Sequence, residues 1–346
     1  MSAVLLFGIF FALLFLNVPI AMSLGVSSII TTMAVKPAMM STIAANLYSS
    51  TNTYVLLAIP FFILAGNIMD VSGISVRLIN FFNSLVGHTK HGTAMVCVIV
   101  ACFFAAISGS GPATVAALGG ILIPAMSKSG YEKDTSAALM STAGAIGIVI
   151  PPSITFVVYG SVTGTSVGDL FMAGIIPGIL IGVAIYFTMV ISSRGCNLVR
   201  QPKASGKERW KAFGDAVWGI LMPVIILGGI YGGIFTPTEA AAVSAIYGLI
   251  VGIFIYKTLR FKEIVVILRQ SVSQTAVVML IIGCAAVFGK VLTFTGLASD
   301  ASQGLISIAH GNKYTFLLMV NIILIIAGCF IAVSYTHLTL PTNREV

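Results

Sequence analysis

Apolar residues along this chain fall into ten long runs: 3–17, 20–35, 53–69, 93–126, 136–167, 170–193, 216–235, 237–256, 271–292 and 314–333. The first two are parted by Asn17-Val18-Pro19. A bilayer core about 30 Å thick takes about 20 apolar helical residues to cross. With no water there to satisfy backbone N–H and C=O groups, a segment crossing it must pair them internally. Runs of this length predict an all-α polytopic membrane protein whose polar intervals are loops. The first run lacks a basic leader, so it reads as a retained span rather than a signal peptide.

The charges orient the spans. Of 18 Lys and Arg residues, 14 lie in the intervals 71–92, 127–135, 194–215 and 257–270, whereas the opposite intervals carry only Lys36 and Lys313. Positive charge stays on the cytoplasmic side of inserted spans, so the four rich intervals are predicted to be cytoplasmic. Trp210 and Trp218 bracket a membrane boundary, where indoles concentrate. The stretch 200–215 reads as a cytoplasmic linker or surface helix. It separates a first half, 1–199, from a second, 216–331.

That orientation constrains 93–126, whose two flanks are both cytoplasmic. Its 34 residues are fewer than the roughly 40 that two full crossings need. Ser108-Gly-Ser-Gly-Pro112 interrupts it near the middle. The simplest geometry is a re-entrant helical hairpin with its tip at Ser108–Thr114; a pair of short full spans with a polar turn is the alternative. The next run, 136–167, is broken by Gly144-Ala-Ile-Gly147-Ile-Val-Ile-Pro151-Pro152-Ser153. Tandem prolines lack N–H groups and open the hydrogen-bond ladder behind them. A plain kink satisfied by neighbouring hydroxyls would also fit. Non-helical backbone at membrane depth persists only inside protein or around a polar cavity, and half-helix ends there hold small ions and substrates in transporters.

Composition narrows the chemistry. Mean hydropathy is +1.07 and 8% of residues are charged, against about 25% for soluble domains. The net charge of +8 has no basic face interleaved with aromatics, which excludes nucleic acid. Cys97, Cys102, Cys196, Cys284 and Cys329 are scattered without metal-ligand spacing. Between Thr93 and Tyr186 the only carboxylates are Glu132, Asp134 and Asp169, at expected helix ends. No span in this region offers the buried titrating group that proton coupling uses. Hydroxyls and carbonyls suit a hard monovalent cation such as sodium. HExxH, GxSxG and Walker glycine patterns are absent, so neither an intramembrane enzyme nor an ATP-driven pump has visible chemistry. Thr236-Pro-Thr-Glu239 is predicted to be a capping box opening the following helix. Asp70 is read as a helix-end or loop contact.

Six stretches, in order, carry a resemblance: Ala58-Ile-Pro-Phe-Phe-Ile-Leu-Ala-Gly66, Phe103-Phe-Ala-Ala-Ile-Ser-Gly-Ser-Gly111 with Ala113-Thr114, Ile123-Pro-Ala-Met126, Ile148-Val-Ile-Pro-Pro-Ser153, Ala173-Gly-Ile-Ile-Pro-Gly178 and Phe235-Thr-Pro-Thr-Glu-Ala240. Together they resemble the large membrane subunit of the tripartite ATP-independent periplasmic (TRAP) transporters, the DctM-like family. The resemblance implies an inverted-repeat, elevator-type sodium symporter of the bacterial inner membrane. Its implied partners are a small four-helix membrane subunit and a periplasmic solute-binding protein. The latter would deliver an organic anion such as a C4-dicarboxylate or sialic acid. No covalently bound cofactor is implied; sodium is the coupling ion. Ser108, Gly109 and Ser110 would share sodium with main-chain oxygens of Gly147, Val149 and Pro151, and Thr114 and Ser153 would lie beside the substrate path. A stand-alone sodium–carboxylate symporter or ion antiporter of related architecture is the alternative.

The family pattern is read as ending at Ile331. Residues 332–346 are expected to form an irregular, non-family tail, as if the second half were incomplete and its own hairpin missing.

Overall fold

The computed structural model describes residues 2–196 and 198–339, with side chains through Ile326. Its α-helices, in chain order, are α1 (Ser2–Phe15), α2 (Ile20–Val35), α3 (Met40–Thr51), α4 (Ala58–Val71), α5 (Ile74–Val86), α6 (Gly92–Ser108), α7 (Gly111–Lys128) and α8 (Lys133–Ala145). They continue with α9 (Ile154–Thr163), α10 (Val167–Ser192), α11 (Gly206–Tyr231), α12 (Pro237–Ile250), α13 (Phe261–Phe294), α14 (Leu297–Ala309) and α15 (Lys313–Thr339). Among the described residues there is no strand. Five segments are long and apolar enough to cross a membrane: Tyr54–Val71, Val167–Ser192, Gly206–Tyr231, Pro237–Ile255 and Phe261–Phe294. The chain is thus an all-α, multi-pass membrane protein.

The helices form two compact units, 53–275 and 1–52 with 276–346. Neither boundary falls at 200–215. In the second of these units Leu6, Phe288 and Val291 make a small apolar core, with Phe10 and Leu24 packed against it. One face of α2 buries Ser23, Ser27, Ser28, Thr31 and Thr32. Ser28 and Thr32 hold the carbonyls of Leu24 and Ser28, four residues back.

Unit 53–275 carries the interrupted helices. Phe62, Leu78, Phe104, Leu118 and Phe171 are fully buried in it. The four Lys/Arg-rich intervals meet at one end of it. Asn83 Nδ2 donates to Gln201 Oε1 at 2.6 Å, Val199 N–H to the Ser129 carbonyl at 3.0 Å, and Thr258 Oγ1 to the Ser72 carbonyl at 3.3 Å. Arg77 donates to the carbonyls of Ser72 and Gly73 at 3.0 Å and lies 3.8 Å over the Tyr256 ring, whose hydroxyl donates to the Asp215 carbonyl at 2.7 Å. The charge-poor turns meet separately, through Thr53–Ser161 hydroxyls at 3.3 Å and Thr238 Oγ1 on the Tyr54 carbonyl at 3.3 Å. Partition of the loops into two ends by charge is the arrangement the positive-inside rule requires.

Three sequence expectations need correction, and one that stood open gains detail. Helices α3, α5 and α14 occupy intervals read as loops. Each has enough polar side chains to fall out of a hydropathy window while keeping an apolar stripe, as Ile74, Leu78 and Ile79 show by their burial in α5. In the stretch 200–215, read as a linker or surface helix, α11 begins at Gly206, opened by a Ser205–Glu208 capping box. Helix α13 starts at Phe261, ten residues before the apolar run, with Lys262, Glu263 and Arg269 in its polar first turns. Finally, α15 continues past Ile331 to Thr339 where an irregular tail was expected. No Gly or Pro interrupts the chain between Gly328 and Pro341, so nothing local breaks the helix before then. The rest of the expected tail, 340–346, lies outside the described residues.

Candidate functional site

Both predicted interruptions exist. Helix α6 ends at Ser108 and α7 begins at Gly111, turning through Gly109 at φ 60°. That left-handed conformation favours glycine because a Cβ would crowd the backbone. Both legs start at the Lys/Arg-rich end. The tip stops inside the unit against Gly66 of α4, where a Cβ would stand 3.2 Å from Ser108 Cα. In the second interruption, α8 gives way to a short 3-10 turn over Ile146–Ile148, then to non-helical residues before α9. Pro151 and Pro152, both buried, are joined by a cis peptide bond.

The two interruptions meet. Ile154 N–H, at the start of α9, donates to the Gly109 carbonyl at 3.2 Å. A Cβ on Gly109 would come within 2.8 Å of the Pro152 carbonyl, and one on Gly147 within 3.2 Å of the Gly111 nitrogen. Helix starts α7 and α9 therefore lie side by side, capped by Ser110 and preceded by Ser153. Such starts present orphan N–H groups and a positive dipole end.

Oxygen atoms converge at the tip. Ser108 Oγ lies 3.3 Å from the Ser110 carbonyl and 3.2 Å from Thr114 Oγ1, which in turn donates to that carbonyl at 2.9 Å. Ser108 is 2% exposed and Thr114 wholly buried. Ser153 is likewise buried, its hydroxyl bonded to the Ile148 carbonyl at 2.6 Å.

Of the residues singled out from sequence, Ser108, Gly109, Ser110, Thr114, Gly147 and Ser153 are thus assembled around one contact. Thr114, read as lining the substrate path, has its hydroxyl in the tip cluster. The Val149 carbonyl lies against Gly174 of α10, where a Cβ would be 2.5 Å away. Sequence reading singled out the Pro151-Pro152 pair and placed Pro151 among the sodium ligands; the carbonyl against Gly109 is that of Pro152. It also gave Gly66 and Gly174 no role, although both stand in the motif stretches. Among the described residues no cluster of three His, Cys, Asp or Glu side chains could hold a metal. The chemistry available is hard, neutral oxygen.

At the Lys/Arg-rich end, His91 Nδ1 is 3.1 Å from Ser193 Oγ and 3.4 Å from the Tyr131 hydroxyl. Burial, helped by Lys90, lowers the His91 pKa. Burial, with Tyr186 and Cys196 nearby, pushes the Tyr131 phenol up to about 12. Away from this site, Thr236, Pro237 and Glu239 form the expected capping box, with Glu239 Oε2 2.8 Å from both the nitrogen and the hydroxyl of Thr236.

Paired interrupted helices inside a multi-pass helical unit are an arrangement that membrane permeases use. Residues 7–342 match the family described as "Tripartite ATP-independent periplasmic transporter, DctM component". This match runs past Ile331, where the family pattern was read as ending. The chain is 38% identical to the C4-dicarboxylate TRAP transporter large permease protein DctM of Rhodobacter capsulatus, covering 96% of this chain and 79% of that protein. It is 43% identical to the protein of that name from Pseudomonas aeruginosa, over 90% of this chain and 73% of the relative. Identity to the sialic acid TRAP transporter large permease protein SiaM of Vibrio cholerae is 35%, over 92% and 74%. The chain belongs to the DctM family of TRAP transporter large permeases, and is not an enzyme.

Proposed function

We propose that this chain is the permease subunit of a sodium-coupled TRAP transporter in the bacterial inner membrane. It imports an organic anion, a C4-dicarboxylate or another carboxylate, delivered by a periplasmic binding protein. It works beside a small four-helix membrane subunit. The observation that carries the reading is the meeting of the α6–α7 tip with the interrupted segment 146–153, two helix breaks joined by the Ile154–Gly109 hydrogen bond. Calcium, close to sodium in radius, holds oxygens at about 2.3–2.6 Å, which spaces neighbouring octahedral ligands roughly 3.3–3.7 Å apart. The tip oxygens stand 2.9–3.3 Å apart, so a small opening converts their hydrogen-bonded triangle into one face of a sodium shell. The reading takes its further oxygens from the carbonyls of residues 147–152, of which that of Pro152 lies against Gly109. The starts of α7 and α9 then face the substrate carboxylate, since helix N-termini attract anions. In the elevator reading, hairpin and interrupted helix travel together.

The test is uptake by the complex reconstituted in proteoliposomes with its binding protein. An inward sodium gradient should drive accumulation, and replacing sodium by potassium should abolish it. Equal accumulation in potassium would remove sodium from the reading.

A further inference from the structure

Two glycines outside both interruptions press directly on the groups assigned to the ion. Gly66 of α4 lies against the hairpin tip, where a Cβ would sit 3.2 Å from both Cα and Cβ of Ser108. Gly174 of α10 lies against the other segment, where a Cβ would sit 2.5 Å from the Val149 carbonyl and 2.5 Å from Phe156 Cε2. Neither neighbour can turn aside like the end of a flexible side chain. Ser108 Cα and the Val149 carbonyl are main chain, so an added methyl must push the backbone that carries the ligands. Packed interiors pass on such displacements rather than absorb them.

Resting on the ion-site reading above, we infer that Gly66 and Gly174 are positioning residues. They fix the main chain of Ser108 and of Val149, two residues that the ion-site reading assigns to sodium, and so tune that ion's affinity and selectivity. Neither contributes an atom to the ion. Their role is to let α4 and α10 approach closely enough that each ligand is set by a main-chain contact. A hydrogen-bonding side chain could rotate; a backbone in van der Waals contact cannot.

Gly248 supplies the comparison. On α12, facing α4, its Cβ would sit 3.1 Å from Ile68 Cγ2, an equally tight fit that touches no site residue. The experiment uses the full chain purified in nanodiscs and follows thermal stabilisation by sodium and by lithium, with choline as the inert cation. Wild type should be stabilised by sodium; absence of that effect would count against the ion site itself. Given a wild-type response, Gly66→Ala should raise the sodium midpoint about tenfold, as a loss of roughly 1.4 kcal/mol does, and change the ratio of lithium to sodium midpoints. Gly248→Ala should lower the melting temperature and leave both midpoints alone. Gly174→Ala repeats the reading from the opposite side should Gly66→Ala fail to fold. An unchanged midpoint and ratio in a folded Gly66→Ala or Gly174→Ala, or the same shift in Gly248→Ala, would overturn the inference.

Discussion

Two interruptions in this chain each combine hydroxyl side chains with a proline and end differently. At Thr236–Glu239 a threonine, a proline and a glutamate open α12, and the capping groups pair within those four residues, while the Thr238 hydroxyl reaches out to the Tyr54 carbonyl. Glu239 accepts from the Thr236 nitrogen and hydroxyl, and Thr236 Oγ1 accepts from the Glu239 nitrogen at 3.3 Å. At Ser108–Ser110 the turn is closed only in part by its own atoms. Its Gly109 carbonyl is claimed by Ile154, more than forty positions along. The Ser108 and Thr114 hydroxyls meet each other and the Ser110 carbonyl, while Ser110 Oγ accepts from the Ala113 N–H. A break that satisfies itself is a joint. A break that must borrow from another break ties two distant segments together, which is where the proposed ion site is put.

The sharpest way to break this contrast is to remove one hydroxyl from the tip. Ser108→Ala in the reconstituted complex should weaken sodium dependence of uptake about tenfold or more, the effect of losing roughly 1–3 kcal/mol from an under-coordinated partner set. Expression and binding-protein docking should persist. Unaltered sodium dependence would make the tip another self-contained joint. Thr236→Ala should do the reverse. Losing an N-cap costs about 1 kcal/mol, read as a lower melting temperature, with the sodium response intact. A sodium effect there would erase the distinction.

The smallest effect is expected at His91, a joint at the Lys/Arg-rich end. Its pKa lies below the ordinary 6.5 through burial and Lys90, so the unfolded chain takes up a proton first as the solution is acidified. Above 6.5 the imidazole is neutral in both states and its contribution is fully present. That contribution is lost as pH falls from 6.5 towards the lowered value. Thermal unfolding scanned through this window should show a slight acid destabilisation that His91→Gln flattens. The sodium midpoint should not follow it.

The site was more legible than the scaffold. Backbone breaks in apolar runs are local statements, made by Ser108-Gly-Ser-Gly-Pro112 and by Pro151-Pro152 without help from elsewhere. What local sequence could not say is that the two would touch, or which carbonyl of 147–152 would face the tip. That depends on the α4 and α10 surfaces, set by small residues whose meaning appears only on contact. Helix α5 escaped notice for the opposite reason. Arg77, Asn80 and Asn83 dilute its hydropathy, yet Ile74 and Leu78 are buried and Arg77 is held by carbonyls and a tyrosine ring. Hydropathy finds what faces lipid all round, and an amphipathic helix at the boundary needs its moment read instead.

The cross-links at the two ends of unit 53–275 also impose an order in time. Tyr54 waits for Thr238, 184 positions later, and Ser72 for Thr258, 186 later. Chains emerge at about 5–20 residues per second, so α4 and α5 stand in the membrane for roughly 10–40 s before those partners are synthesised. Through that interval Arg77 and the Ser72 carbonyl can already hold each other, whereas the Tyr54 carbonyl and the Arg77 face that later meets the Tyr256 ring must be covered by something other than their final neighbours, whether lipid headgroups, water or the insertion machinery. Biogenesis of this permease is therefore exposed around α4 and α5, and a slowed ribosome between codons 72 and 258 lengthens the exposure without changing a single residue.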